Sequence, residues 1–259
     1  MKKNKMMRIA SLLLIAVLLT TSVISGTFAK YVTSDNHTEA ARVAKFGVDV
    51  VASGSLFSNT YITHDATAGD SDTDKISVKS TDDAKVVAPG TSNNNGLTFK
   101  VTGTPEVDVR VNLTVTGADI FLKGTNLPDK TIGKAGTFSL ANIYYPVKYT
   151  LTQTKKGSQP NTLVDGKTIA DVKTALENLS AYYNTNTDLE EEVGTLKLTW
   201  EWAFGGEQTL NGTTFDATTV DKADTLLGDL AAGTATGVAS ADYSLDTSVA
   251  ITVSVTQVD

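Results

Sequence analysis

Catalysis draws on few side-chain types, and this chain of 259 residues is poor in them. It has no cysteine, hence no thiol nucleophile, and only His37 and His64 offer an imidazole. Neither histidine belongs to an HExxH pattern, which would set two zinc ligands one helical turn apart beside a glutamate base. Both read as solvated side chains, His37 in a polar leader and His64 in a loop. Gly54 and the Gly205-Gly206 pair fit neither GxGxxG nor the P-loop pattern, so nothing in the sequence cradles a phosphate.

Oxygen ligands for a divalent cation are more plentiful. Asp65, Asp70, Asp72 and Asp74 form one acidic group, and Asp221, Asp224 and Asp229 another. Neither has the fixed glycine and terminal glutamate of an EF-hand loop, so both read as solvated acids. Trp200, Trp202 and Phe204 alternate along one strand and could stack on a sugar, but they share their face with Leu196 and Leu198, which reads as core. Glu201 points the other way between Thr199 and Ala203, with no second carboxylate to make a glycosidase pair. The sequence predicts no catalytic residue, no metal and no cofactor.

The elements that would position any site are mostly strands. In EVDVRVNLTVT, from Glu106 to Thr116, the side chains Val107, Val109, Val111, Leu113 and Val115 face one way, and Asp108, Arg110, Asn112 and Thr114 the other. A strand so patterned has one face on a core and one in water. The same period predicts strands over Ala44 to Val50, Leu97 to Val101, Ile143 to Leu151, Leu196 to Phe204 and Val249 to Val255, the first of them half-buried. Helical spacing appears in Thr168 to Tyr183, where Thr168 and Asp171 resemble a capping box, and in Val220 to Leu230. Residues 63–74, 89–96, 154–167 and 231–246 read as loops. The fold class is mainly β: an antiparallel jelly roll or β-sandwich with one or two short inserted helices.

The first residues are of another kind. Lys2, Lys3, Lys5 and Arg8 precede an apolar segment from Ile9 to about Ile24, and small residues follow up to Ala29. This is the layout of an export signal. A membrane helix needs roughly 20 apolar residues, and Thr20, Thr21, Ser22 and Ser25 break the run before that; the alternative, retention as an anchor, would be membrane contact through the uncleaved signal alone. Thr27 and Ala29 suit the small subsites of a signal peptidase, so the mature chain begins at Lys30. With the four leader cations gone, 18 basic side chains remain against 29 acidic ones, a net charge of −11. Such a surface repels nucleic acid. Three parts follow: a signal peptide over 1–29, a polar segment over 30–42 and a β-domain over 43–259. Taken alone, the polar segment KYVTSDNHTEAAR reads as a flexible terminus, since Tyr31 and Val32 are its only bulky apolar members. Leu127-Pro128-Asp129-Lys130 begins like a sortase signal but has Lys where Thr is required.

Several stretches taken together, GTFAKYVTS, ARVAKFGVDV, VVAPGTS, VTGTPEVDVRVNLTV, NIYYPVKYTL, GTLKLTWEWAF and DKADTLLGDLAA, resemble the TasA/camelysin family of exported biofilm-fibre proteins of Gram-positive bacteria. The resemblance implies export through a signal peptidase of the endoplasmic-reticulum type and localisation in the extracellular matrix or at the cell surface. It also implies a jelly-roll subunit whose partner is another copy of itself, assembling head to tail into a homopolymeric fibre. In that scheme Lys30, Tyr31, Val32 and Thr33 begin a donor strand that enters the next subunit, with Tyr31 seated in the acceptor. The camelysin name also carries a metal-dependent endopeptidase activity, for which no zinc triad is visible. A monomeric surface adhesin or carbohydrate-binding module is a third reading, because β-sandwiches host many functions.

Overall fold

A computed structural model describes residues 42–64, 75–131, 133, 136–210 and 212–258, and residues 44–259 form one folded unit. Its frame is two antiparallel sheets. The larger is built from β1 (Val48–Gly54), β2 (Ser92–Gly103), β4 (Val147–Thr154), β5 (Asn161–Lys167) and β7 (Gly194–Trp202), in the order β1-β2-β7-β4-β5. The smaller is built from β3 (Val109–Ala118), β6 (Ala181–Tyr183) and β8 (Ser248–Gln257), in the order β6-β3-β8. Among the described residues three α-helices join them: α1 (Ile169–Leu179), the single turn α2 (Leu189–Glu192) and α3 (Ala217–Ala231). The molecule is a β-sandwich with few, short helices, as the sequence predicts.

The period-2 pattern does the sorting. In β3, Val109, Val111, Leu113 and Val115 are buried while Arg110 and Thr116 are exposed. In β7, Leu196, Leu198, Trp200 and Trp202 are buried, and Glu201 lies out in water. These inner faces meet in one core with Tyr149 and Leu151 of β4. Each large apolar side chain so removed from water contributes about 1.5–3 kcal/mol. The Trp200 indole also donates to the Leu56 carbonyl at 2.6 Å, and Tyr61 meets its ring edge-on at 5.6 Å between centroids. Such aromatic pairs add about 0.5–1.5 kcal/mol beyond their area.

Helix α1 starts where the sequence places it. The Thr168 backbone N–H and hydroxyl both donate to Asp171, at 3.1 and 2.6 Å, and Ile169, Val172 and Leu176 are buried. It ends earlier than its pattern does. The Ser180 hydroxyl accepts from the Leu113 N–H at 2.9 Å, and Ala181 to Tyr183 then pair with β3 opposite Val111 to Val109. The last residues of the predicted helix are therefore a strand, because they satisfy an edge of β3 that water would otherwise have to solvate.

Other boundaries moved for similar reasons. Residues 92–96, predicted as loop, extend β2, and the predicted loop over 154–167 contains β5, whose register against β4 shifts twice. The first strand lies at Val48–Gly54 and not over Ala44 to Val50, since Gly47 takes a left-handed conformation at φ 57°. There a Cβ on Gly103 would strike the Gly47 carbonyl, so glycine lets β1 and β2 close together. Among the described residues no helix is long and apolar enough to cross a membrane.

Candidate assembly edge

The sheets of a sandwich end in four edge strands, each with a row of backbone N–H and C=O groups seeking partners. Here the four are treated in two ways. β5 carries two register shifts, Gly166 and the charges of Asp165 and Lys167, which blunt it as a template. β6 is three residues long. Between them runs α1, which packs on β3 of one sheet and on β4 and β5 of the other.

At the opposite side stand β1 and β8. β8 reads SVAITVSVTQ and pairs with β3 residue for residue from Ser248 opposite Ala118 to Gln257 opposite Val109, with no bulge. It holds no charge, proline or glycine, which are the usual means of guarding an edge. β1 reads VDVVASG and pairs without interruption with β2 from Val48 opposite Gly103 to Gly54 opposite Leu97. Its one charge is Asp49. The free edge of each strand has no strand beside it among the described residues, and the two strands come within 8 Å of one another between Cα atoms.

Burial falls off toward this side. Val111, Leu113 and Val115 of β3 are sealed, but their partners Val255, Val253 and Ile251 on β8 are only half-buried. Val101 of β2 is fully buried, yet its partner Val50 on β1 is 37 % exposed, and Val51 beside it 49 % exposed. Phe46, just before β1, is also exposed. A chemically apolar inner face thus continues out to an uncovered margin. The expectation of a half-buried first strand is corrected on this point, for β1 is exposed beyond Val48.

The remaining residues singled out from the sequence lie elsewhere. Thr27, Ala29, Lys30, Tyr31, Val32 and Thr33 are outside the described residues, as are His37 and Asp65, Asp70, Asp72 and Asp74. His64 ends a strand over Thr60–His64, paired with Lys75–Lys79, where a loop was expected. Asp221, Asp224 and Asp229 ride on α3 and diverge. Asp221 is exposed, Asp229 accepts from the Thr234 hydroxyl at 3.0 Å, and Asp224 is buried, so the reading of all three as solvated acids is corrected for Asp224. Among the described residues no three His, Cys, Asp or Glu side chains are grouped to hold a metal ion. Trp200 and Trp202 belong to the core, whereas Phe204, two residues past the end of β7, is 73 % exposed.

No protein-family model, curated protein or solved structure matches the chain. Sequence reasoning identified the strands of the open side but not their openness. The available signal was the composition of SVAITVSVTQ, a ten-residue strand without any gatekeeping residue.

Proposed function

We propose that the protein is a secreted structural subunit of an extracellular or cell-surface fibre, of the kind its resemblance to the TasA/camelysin family implies. Signal cleavage after Ala29 frees the segment from Lys30 to about Ala40, which adds as a donor strand along β8 of the next copy. A strand added at an edge binds mainly through main-chain hydrogen bonds, so the polar character of KYVTSDNHTEAAR is no obstacle. Tyr31 and Val32 supply the apolar side chains that cover the half-buried row Ile251, Val253 and Val255. Because the donor and the acceptor are different surfaces, the contact is head to tail and propagates as a filament.

The observation that carries the reading is the long, regular, uncharged and uncovered edge of β8 beside the exposed β1. Left uncovered, such an edge is a template for indiscriminate pairing; a dedicated donor strand turns that liability into a specific joint.

The test compares the chain begun at Lys30 with one begun at Ala41. Negative-stain micrographs should show filaments from the first and none from the second, while circular dichroism shows both folded. A peptide spanning Lys30 to Ala40 should then slow backbone hydrogen exchange in β8 of the truncated protein. Unchanged filaments after truncation would overturn the proposal.

A further inference from the structure

We infer that a cavity between α3 and the start of β8 binds a small organic ammonium ion, its apolar body within the cavity and its cationic head on Asp224. The cavity measures about 550 Å³, within the range of small-molecule sites. Its walls are apolar and partly aromatic: Phe57, Val87, Ile120, Trp202, Leu227 and Val249. Lys85 and Asp246 also line it, with opposite charges.

Asp224 is the exception in that wall, a carboxylate that is only 9 % exposed. Its Oδ1 accepts from the Tyr144 hydroxyl at 2.8 Å and from the Trp202 indole N–H at 3.2 Å. Both donors are neutral, and no lysine or arginine pairs with it among the described residues. Burial pushes its pKa up to about 7 against the two hydrogen bonds, and neighbouring Asp221 adds to the rise. A carboxylate withdrawn from water gains greatly from a cation brought to it.

The walls select among cations. A metal ion finds no group of three or more His, Cys, Asp or Glu ligands among the described residues, and the second carboxylate of the lining, Asp246, is accompanied there by the Lys85 cation. An alkyl or aryl ammonium suits both halves of the site, because Asp224 takes its charge while aromatic Trp202 and Phe57 and the aliphatic residues of the lining receive its body. Room for that body comes from α3 itself. Gly228, one turn after Asp224, also lines the cavity, and a Cβ built there meets no heavy atom within 4 Å. Glycine inside a helix is less favourable than alanine, and at this position it leaves one wall of the cavity without a side chain.

The experiment titrates the full chain with 2-phenylethylamine, 2-phenylethanol and 3-phenylpropanoate, following the indole N–H resonances of Trp202 and Trp200 and the heat of binding. At pH 8 the amine should shift the Trp202 signal saturably and bind at least tenfold tighter than the alcohol or the acid. Trp200, whose indole is held by the Leu56 carbonyl, should stay still. At pH 5, with Asp224 protonated among Tyr144, Asp221, Lys85 and Asp246, the preference for the amine should vanish. Asp224→Asn should remove the tenfold preference while leaving weak binding of the alcohol. Gly228→Leu adds bulk at the cavity wall, where a Cβ meets no heavy atom within 4 Å, and should weaken binding of all three probes. A Trp202 signal that does not saturate, an alcohol that matches the amine, or undiminished binding by Gly228→Leu would each overturn the assignment.

Discussion

On one side of the sandwich the chain runs from β5 into α1 and on into β6, so that its own helix lies against both sheets; on the other, β1 and β8 end the sheets with no strand paired to their free edges among the described residues. The sides contain similar residue types. Ile169, Val172 and Leu176 seal the first, and Val50, Ile251 and Val253 sit half-covered or exposed on the second. What differs is whether a segment of the same molecule supplies the lid. An edge finished in cis stabilises the monomer, and an edge left unfinished makes the monomer's stability and its association separate quantities. Substitutions on the two sides should therefore report on different experiments.

The largest effect on monomer stability should come from the closed side. Leu176→Ala removes a side chain that is 1 % exposed, and a buried truncation of this kind costs about 2–5 kcal/mol. Urea denaturation should show the loss at a nearly unchanged slope. A loss under about 1 kcal/mol would mean that α1 does not seal this side of the sandwich.

A smaller effect on the same side depends on pH. Asp119 accepts from the Ile169 N–H at 3.3 Å at the start of α1. Burial, with a contribution from Asp171, pushes its pKa up to about 6. A raised carboxyl pKa means that the folded state holds the proton more tightly, so stability from this group is full below the unfolded pKa near 4 and is lost as pH rises toward 6. Asp119→Asn should abolish this loss. The stability difference between variant and parent should then grow between pH 4 and pH 6.5, by at most about 1 kcal/mol once solvent screening is counted. Thermal melts across that interval would measure it, and a gap that narrows with pH would contradict the sign.

The smallest effect on the monomer should come from the open side. Val50→Lys places a charge on β1 at a position that is already 37 % exposed, so unfolding should change by no more than about 0.5 kcal/mol. Filament formation by the chain begun at Lys30 should nevertheless fall sharply, since charge on an edge discourages strand addition. Equal filament yield with equal stability would remove β1 from the joint and leave β8 alone.

Legibility followed the length of the period. β3, β7 and α3 were readable because each carries enough regular spacing to outweigh local exceptions, and the capping pair Thr168 and Asp171 marked the start of α1 within one residue. β5 was not readable, for its glycine, aspartate and bulges look like a loop until β4 is placed beside it. Nor was the end of α1, where Ser180 exchanges hydrogen bonds with Leu113, a residue far away in sequence. Of the assembly edge, the strands were visible and their bareness was not. Asp224 was grouped with its acidic neighbours on α3, because nothing in a sequence tells which turn of a helix faces a cavity.

By itself, then, the sequence determined the class of fold, the sorting of side chains to inner and outer faces, and the poverty of catalytic groups, all of which follow from local composition and spacing. Only the tertiary structure decided which edges were finished and which left open, and which carboxylate was taken out of water. Those outcomes depend on what distant parts of the chain bring together: α1 lies against both sheets on one side, no described strand pairs with the free edge of β8 on the other, and Asp224 is buried where Tyr144 and Trp202 meet it.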